Sequence, residues 1–162
     1  NRGNVFNLLK QISSGKFMMV GNGKNKKSMA YVGNVVAFIK YRIEKLEPGY
    51  QVFNYADNPD YNMNELVSLI EKKMKLKIPK FRIPYWIGIV GGGVFDFLSK
   101  VSRRKLPISR VRVKKFCATT QFDASKAHNL FTTPYTLNEG LEKTLEHEFI
   151  NPKTDDVLFY SE

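Results

Sequence analysis

Apolar residues recur with the period of a helix in four places along this chain and gather into short unbroken runs in others. Val5, Leu8, Leu9 and Ile12 share one helical face, and Ser13-Ser14-Gly15 closes that segment. Phe17 to Val20 is a short apolar run that reads as a strand, followed by the polar, glycine-bearing turn Gly21 to Asn25. Met29 to Val32 reads as a short extended piece. Val35, Val36, Ile39, Ile43 and Leu46 then stripe a helix that ends before Pro48-Gly49. Tyr50 to Tyr55 reads as a buried strand. Asn62 with Glu65 marks a helix start by capping, and Met63, Leu66, Val67, Ile70 and Met74 supply its apolar face. Pro79 and Pro84 bracket a connecting stretch. A helix over Tyr85 to Val101 is expected even though Gly91, Gly92 and Gly93 each cost about 1 kcal/mol against alanine, a cost tolerated where another backbone packs closely. Thr119 to Phe122 suggests a short strand, and Asp123 a cap for a short helix reaching His128. Thr136 and Glu139 form a capping box for a last helix striped by Leu137, Leu141, Leu145 and Phe149.

The pattern predicts a small mixed α/β fold, with several amphipathic helices and a few short strands. It lacks the regular strand–helix alternation of a complete doubly wound sheet. A length of 162 residues fits one domain or a piece of a larger protein, and 43% hydrophobic content excludes wholesale disorder. The single cysteine, Cys117, excludes an internal disulfide and suits a reducing compartment, so a cytoplasmic location is expected. No charged-then-apolar leader follows Asn1. The longest uncharged apolar stretch, Ile83 to Phe95, has 13 residues where a membrane-spanning helix needs about 20, so no transmembrane segment is expected.

Charge narrows the choice of partner. Against 15 Asp and Glu stand 26 Lys and Arg, a net +11, which points to an anion: nucleic acid, membrane lipid or a phosphorylated small molecule. Lys24, Lys26 and Lys27 cluster on the glycine turn, which leaves room for a phosphate. Arg110, Arg112, Lys114 and Lys115 form a second group. Lys72, Lys73, Lys75 and Lys77 sit where they complement a helix C-terminus. No phosphate-binding glycine loop occurs, and His128 and His147 have no metal-ligand partners in sequence. Cys117 lacks a neighbouring histidine and reads as a small buried hydrophobe. A nucleic-acid module would need a helix-turn-helix, zinc or aromatic RNA-binding cue, and none is present. A peripheral membrane protein is the other alternative, through residues 81–105, where Phe81 to Leu98 is flanked by Arg82, Lys100, Arg103, Arg104 and Lys105.

Five segments in order resemble one family. Val20 to Ala37, VGNGKNKKSMAYVGNVVA, is similar to the hallmark of the C-terminal half of extended short-chain dehydrogenases, the NAD-dependent nucleotide-sugar epimerases and dehydratases. A strand leads to Gly21 and Gly23, then Lys27, Met29-Ala30, Tyr31 and a helix beginning at Asn34. Asn1 to Val5 resembles the segment after the family's last Rossmann strand. Tyr50 to Ile70 resembles its strand and capped helix, and Asp123-Ala124-Ser125-Lys126-Ala127 its D-x-S-K-A element. Pro134 and the last helix follow in order.

The resemblance implies that residues 1–150 form a substrate domain that anchors the diphosphate of a UDP-sugar-like substrate for surface polysaccharide synthesis, with 151–162 a loose acidic tail. The residues it assigns to substrate are Arg2, Asn4, Lys26, Lys27, Ser28, Tyr31 and Arg112. Lys27 stands where the family usually has Arg, which keeps the charge and loses the bidentate fork. The family's second diphosphate arginine aligns with Val113, and Arg112 is the nearest basic residue. NAD or NADP, the glycine fingerprint and the catalytic Tyr-x-x-x-Lys pair would lie on a separate N-terminal Rossmann half. This chain is read as lacking both motifs, as having no catalytic or metal-binding residue of its own, and as inactive alone. A homodimer is an expectation for the full-length protein, whose family dimerises through that other half.

Overall fold

The computed structural model describes residues 4–15, 17–45, 47–102 and 109–152. Arg2, Leu46, Arg103, Arg104, Lys105 and the tail from residue 153 lie outside the described residues, and with them the expectations placed there. By its contacts the chain divides into two units. Unit 1 takes the described parts of 1–10, 27–61 and 120–162; unit 2 takes those of 11–26 and 62–119.

The elements run α1 (Asn4–Ser13), β1 (Met19–Val20), β2 (Lys26–Lys27), α2 (Val32–Glu44), β3 (Tyr61–Asn62), α3 (Met63–Met74), β4 (Arg82–Ile83), α4 (Tyr85–Ser102), α5 (Arg110–Cys117), α6 (Ser125–His128) and α7 (Leu137–Leu145). A π-helical turn, Glu146–Ile150, continues α7. β1 pairs in parallel with β4, Met19 opposite Arg82 and Val20 opposite Ile83, and β2 pairs with β3. The fold is the small, helix-rich α/β arrangement expected, with strands of two residues.

Unit 1 is organised around a buried polar pair. Asn34 and Asp57 are 0% and 1% exposed, yet each is fully engaged. Asn34 Nδ2 donates to Asp57 Oδ1 (3.0 Å) and to the Tyr135 carbonyl (2.8 Å), and its Oδ1 accepts from Tyr135 N. Tyr31 N donates to Asp57 Oδ2 at 2.7 Å, and the Tyr55 hydroxyl donates to Asp57 Oδ1 at 3.1 Å. Three distant stretches of chain are thus tied at one point, and the buried polar groups are satisfied there. Burial and then the facing Asp57 carboxylate push the Tyr55 hydroxyl well above the ordinary tyrosine range.

This pair explains two departures from the sequence pattern. The stripe expected to bury α2 points outward instead, with Val36, Ile39 and Ile43 exposed, while Asn34 and Phe38 face in. Asn34 finds its partners only on the inner side, and Phe38, one turn further on, meets Phe53, Tyr55 and Phe131 at 5.1–5.6 Å between ring centroids.

The strand expected over Tyr50 to Tyr55 does not form. Side chains occupy backbone acceptors that a neighbouring strand would have used. Lys126 Nζ donates to Val52 O at 3.0 Å, and His128 Nε2 donates to Ala56 O at 2.7 Å. Likewise the strand expected over Thr119 to Phe122 reduces to one bridge, Thr120 to Lys27. Met29 to Val32 is not a strand but leads into α2. α7 obeys its pattern: Thr136 and Glu139 form the capping box, and Leu137, Leu141 and Leu145 are buried.

Unit 2 contains the second capping box, with Asn62 Oδ1 accepting from Glu65 N and Glu65 Oε2 accepting from Asn62 N. It places Met63, Leu66 and Ile70 in a core with Ile12, Phe17, Met19 and Ile78. α4 packs differently. Gly88, Gly92, Asp96 and Ser99, spaced four, four and three apart, share one face. A Cβ on Gly88 would lie 2.7 Å from Val20 Cγ1, and one on Gly92 would lie 2.8 Å from the Arg110 backbone. Asp96 Oδ2 accepts from Arg110 N at 3.0 Å. Within the glycine run it is Gly92 that another backbone approaches, the start of α5, while a Cβ on Gly91 or Gly93 would meet nothing within 4 Å.

Candidate functional site

Unit 2 holds an open cleft of about 610 Å3 lined by Val20, Gly21, Asn22, Asn25, Tyr85, Lys114, Cys117 and Ala118. The glycine turn forms one wall. Gly21 and Gly23 have φ of 77° and 68°, a conformation that side chains disfavour, and this doubles the chain back between β1 and β2. The turn is fastened on two sides. The Asn22 carbonyl accepts from Asn64 Nδ2 (3.0 Å) and Arg82 Nη1 (2.6 Å), and Gly23 O accepts from Asn64 N (3.1 Å). Asn25 Nδ2 donates to Phe116 O at 2.9 Å, and Lys26 N donates to Thr119 Oγ1 at 3.3 Å. These bonds fix the turn to α3 and β4 on one flank and to the end of α5 on the other.

α5 forms the opposite wall. Ser109 caps it, its hydroxyl accepting from Arg112 N at 3.1 Å. The helix brings Lys114 and Cys117 to the cleft, and the Cys117 thiol donates to Val20 O at 3.5 Å. Tyr85, the first residue of α4, completes the lining. Among the described residues no hydrogen bond or ion pair engages the exposed Lys114 ammonium. With an exposed cation, two carboxamides and a phenol at its edge, the cleft suits an uncharged polar group attached to an anion. Among the described residues no three His, Cys, Asp or Glu gather in a metal-binding group.

The residues assigned to substrate by the resemblance lie elsewhere. Asn4 opens α1, and Arg2 is outside the described residues. Lys26 is exposed on β2. Lys27, next on that strand, is half-buried with Nζ 3.4 Å from Thr120 Oγ1. Ser28 is bound on both sides, its N donating to Thr120 O and its hydroxyl accepting from Phe122 N. Tyr31 precedes α2 and meets the Tyr135 ring edge-on at 5.6 Å. Arg112 is exposed on α5. Of these, Lys26, Lys27, Ser28, Tyr31 and Arg112 do not line the cleft. Lys114 does, and the sequence signal for it was its place in the Arg110–Lys115 basic group. Asn22, Asn25 and Tyr85 carried no such signal.

One motif reading needs adjustment. Tyr41 and Lys45 stand at Tyr-x-x-x-Lys spacing, so the sequence does contain that pattern. In the structure Lys45 is the exposed C-cap of α2, and the Tyr41 ring packs 5.4 Å from Phe131. The pair therefore ends a helix and faces an aromatic cluster. Gly21-x-Gly23 runs from β1 into β2, not into a helix N-terminus. A dinucleotide pyrophosphate needs that helix end, so this turn does not fit NAD.

The fold is similar to part of two solved structures. The crystal structure of gox2253 superposes with a TM-score of 0.60 at 13% identity, covering 86% of this chain and 42% of the other. UDP-glucose 4-epimerase from Thermotoga maritima, solved with UDP-glucose, superposes with a TM-score of 0.54 at 20% identity, covering 89% of this chain and 38% of the other. In sequence, the chain is 58% identical over 163 residues to N-acetyl-alpha-D-glucosaminyl-diphospho-ditrans,octacis-undecaprenol 4-epimerase of Escherichia coli O157:H7, covering 100% of this chain and 49% of that protein. It is also 25% identical over 146 residues to the uncharacterized protein y4nL of Sinorhizobium fredii, covering 85% of this chain and 40% of that protein.

The family resemblance read from the motifs is thus borne out: along its whole length this chain is homologous to part of an epimerase. The chain spans about half the length, or less, of the curated relatives it matches. No family model matches it.

Proposed function

We propose that this chain is the substrate-holding part of a sugar 4-epimerase whose substrate is a glycosyl diphosphate, an N-acetylhexosamine joined through two phosphates to a larger carrier. The observation that carries this reading is the 58% identity, over the whole of the chain, to an epimerase named for such a substrate. The cleft supports it chemically. Lys114 offers a point charge to a phosphate, and Asn22, Asn25 and Tyr85 offer hydrogen bonds to sugar hydroxyls or the acetamido group. The lysines of β2 are a further proposed contact, Lys26 and Lys27 by charge alone. NAD or NADP and the proton-transfer residues belong to the part of the longer protein outside this chain. The role of this part is to hold the sugar in one place, and positioning of that kind contributes several kcal/mol to catalysis.

The carrier is a polyprenol in this reading, with a nucleoside as the alternative foreseen from the motifs. Purified full-length protein is supplied with polyprenyl diphospho-N-acetylglucosamine in detergent and, separately, with UDP-N-acetylglucosamine. Inversion at C4 is read by NMR of the released sugar. Turnover of the polyprenyl compound, with KM raised about tenfold in Lys114→Ala, supports the proposal. Turnover of the UDP-sugar alone transfers the site to nucleotide-sugars. No inversion of either compound ends the reading.

A further inference from the structure

We infer that Asn22 and Asn25 read the acetamido group of the sugar, Asn25 accepting from its N–H and Asn22 donating to its carbonyl, and so set the preference for an N-acetylated substrate. The inference rests on the function proposed above and assigns, within that cleft, the two residues that select the group at C2.

Each carboxamide has one end committed to the protein, and the partner dictates which end that is. Asn25 faces the Phe116 carbonyl at 2.9 Å; a carbonyl only accepts, so the nitrogen of Asn25 is the end in use. Asn22 faces the Lys24 backbone N–H at 3.0 Å; an N–H only donates, so the oxygen of Asn22 is the end in use. The opposite ends are left over. Among the described residues no hydrogen bond engages Asn25 Oδ1 or Asn22 Nδ2. Both residues line the cleft, which therefore offers one acceptor and one donor of settled identity. Their backbones are held as well. The Asn22 carbonyl accepts from Asn64 and Arg82, and the Asn25 carbonyl accepts from Met63 N at 3.2 Å. Donor and acceptor are thus in place before a substrate arrives, which lowers the entropy lost on binding.

The remaining lining completes the match. Val20, Cys117 and Ala118 give the cleft an apolar part. An acetamido group carries an N–H, a carbonyl and a methyl; the cleft supplies an acceptor, a donor and an apolar surface. A hydroxyl on the same sugar carbon ends where the amide nitrogen would sit. It meets Asn25 but reaches neither the Asn22 amide nor the apolar part. A site whose polar groups the wrong substrate leaves unpaired discriminates more strongly than one that measures size alone. Lys114 remains for the phosphate.

The test uses the full-length protein and whichever carrier it turns over, polyprenyl diphosphate or UDP, bearing either N-acetylglucosamine or glucose. Inversion at C4 is followed by NMR, and the quantity read is the ratio of kcat/KM for the two sugars. Where the glucose compound is not inverted, its inhibition constant against the N-acetylated compound takes the place of its KM. The native protein is expected to favour the N-acetylated compound by about tenfold or more. Asn22→Asp keeps the oxygen that accepts from Lys24 N and exchanges the spare donor for an acceptor. It is expected to lower the ratio about tenfold, and Asn25→Ala to do the same. Repulsion between the new carboxylate and the diphosphate, or any loosening of the turn or of α5, acts on both sugars and cancels in the ratio. Equal use of the two sugars by the native protein overturns the assignment, as does a ratio that either variant leaves unchanged; both results leave the proposed function standing. No inversion of any compound ends the proposed function and this assignment with it.

Discussion

Helix α2 turns a carboxamide inward and leaves Val32, Val36, Ile39 and Ile43 exposed, whereas α4 turns glycines inward and leaves a tryptophan and a phenylalanine outside. In neither does the most apolar face become the buried one. What decides the orientation is a specific demand on the inner side. For α2 it is the Asp57 carboxylate and the Tyr135 backbone, which Asn34 ties together through both ends of its carboxamide. For α4 it is the Arg110 backbone, which leaves no space for a side chain. One unit is fixed by polar complementarity and the other by close approach of main chains, and mutations should expose the contrast.

The largest effect is expected at the polar pair. Asp57→Ala strands three donors, the Tyr31 amide, the Asn34 carboxamide and the Tyr55 hydroxyl, and should cost about 3 kcal/mol in urea unfolding. Asp57→Asn, which removes the charge, should lower the Tyr55 hydroxyl part of the way toward its ordinary value, read by ultraviolet titration. In the native protein the Tyr55 contribution is complete below the unfolded tyrosine value of about 10 and is lost as pH rises through the higher folded value.

Next is Gly92→Val, which forces a branched side chain against the Arg110 main chain and should cost about 2 kcal/mol. Thr136→Ala removes the cap of α7 at about 1 kcal/mol. Hydrogen bonds from the Thr136 amide and hydroxyl hold the Glu139 carboxyl below the usual glutamate range. The stabilisation from that box is therefore present above about pH 4.3 and is lost as pH falls through the lower folded value, measurable in the exchange of the Thr136 amide. The smallest effect belongs to Val90→Asp. Two residues from Gly92 but on the outer face, it should change stability by less than about 0.5 kcal/mol. A large loss there would mean that this face of α4 is covered in solution.

Local signals were legible from the sequence. Both capping boxes, the course of α1 and α3, and the close packing demanded by the glycine run were readable because each depends on residues within one or two turns. The outward stripe of α2 was not, because it depends on Asp57 and Tyr135, far off in the sequence. At Tyr50 to Tyr55, where the expected strand is absent, Lys126 reaches the Val52 carbonyl and His128 the Ala56 carbonyl just beyond the segment, both from far along the chain. The cleft was half legible. Its glycine turn and basic helix stood out, but Lys114 was hidden among four similar residues, and helical phase alone did not say which of them reaches the wall.

The interleaving of the two units also bears on synthesis. Unit 2 has all its described parts by Thr119, whereas unit 1 begins with α1 and lacks α6 and α7 until the last quarter of the chain is made. On the ribosome unit 2 can close while the Asn34–Asp57 pair still waits for Tyr135. A nascent chain stalled with only the residues before Phe122 emerged from the ribosome would hold a protease-resistant unit 2 beside an unlocked α2.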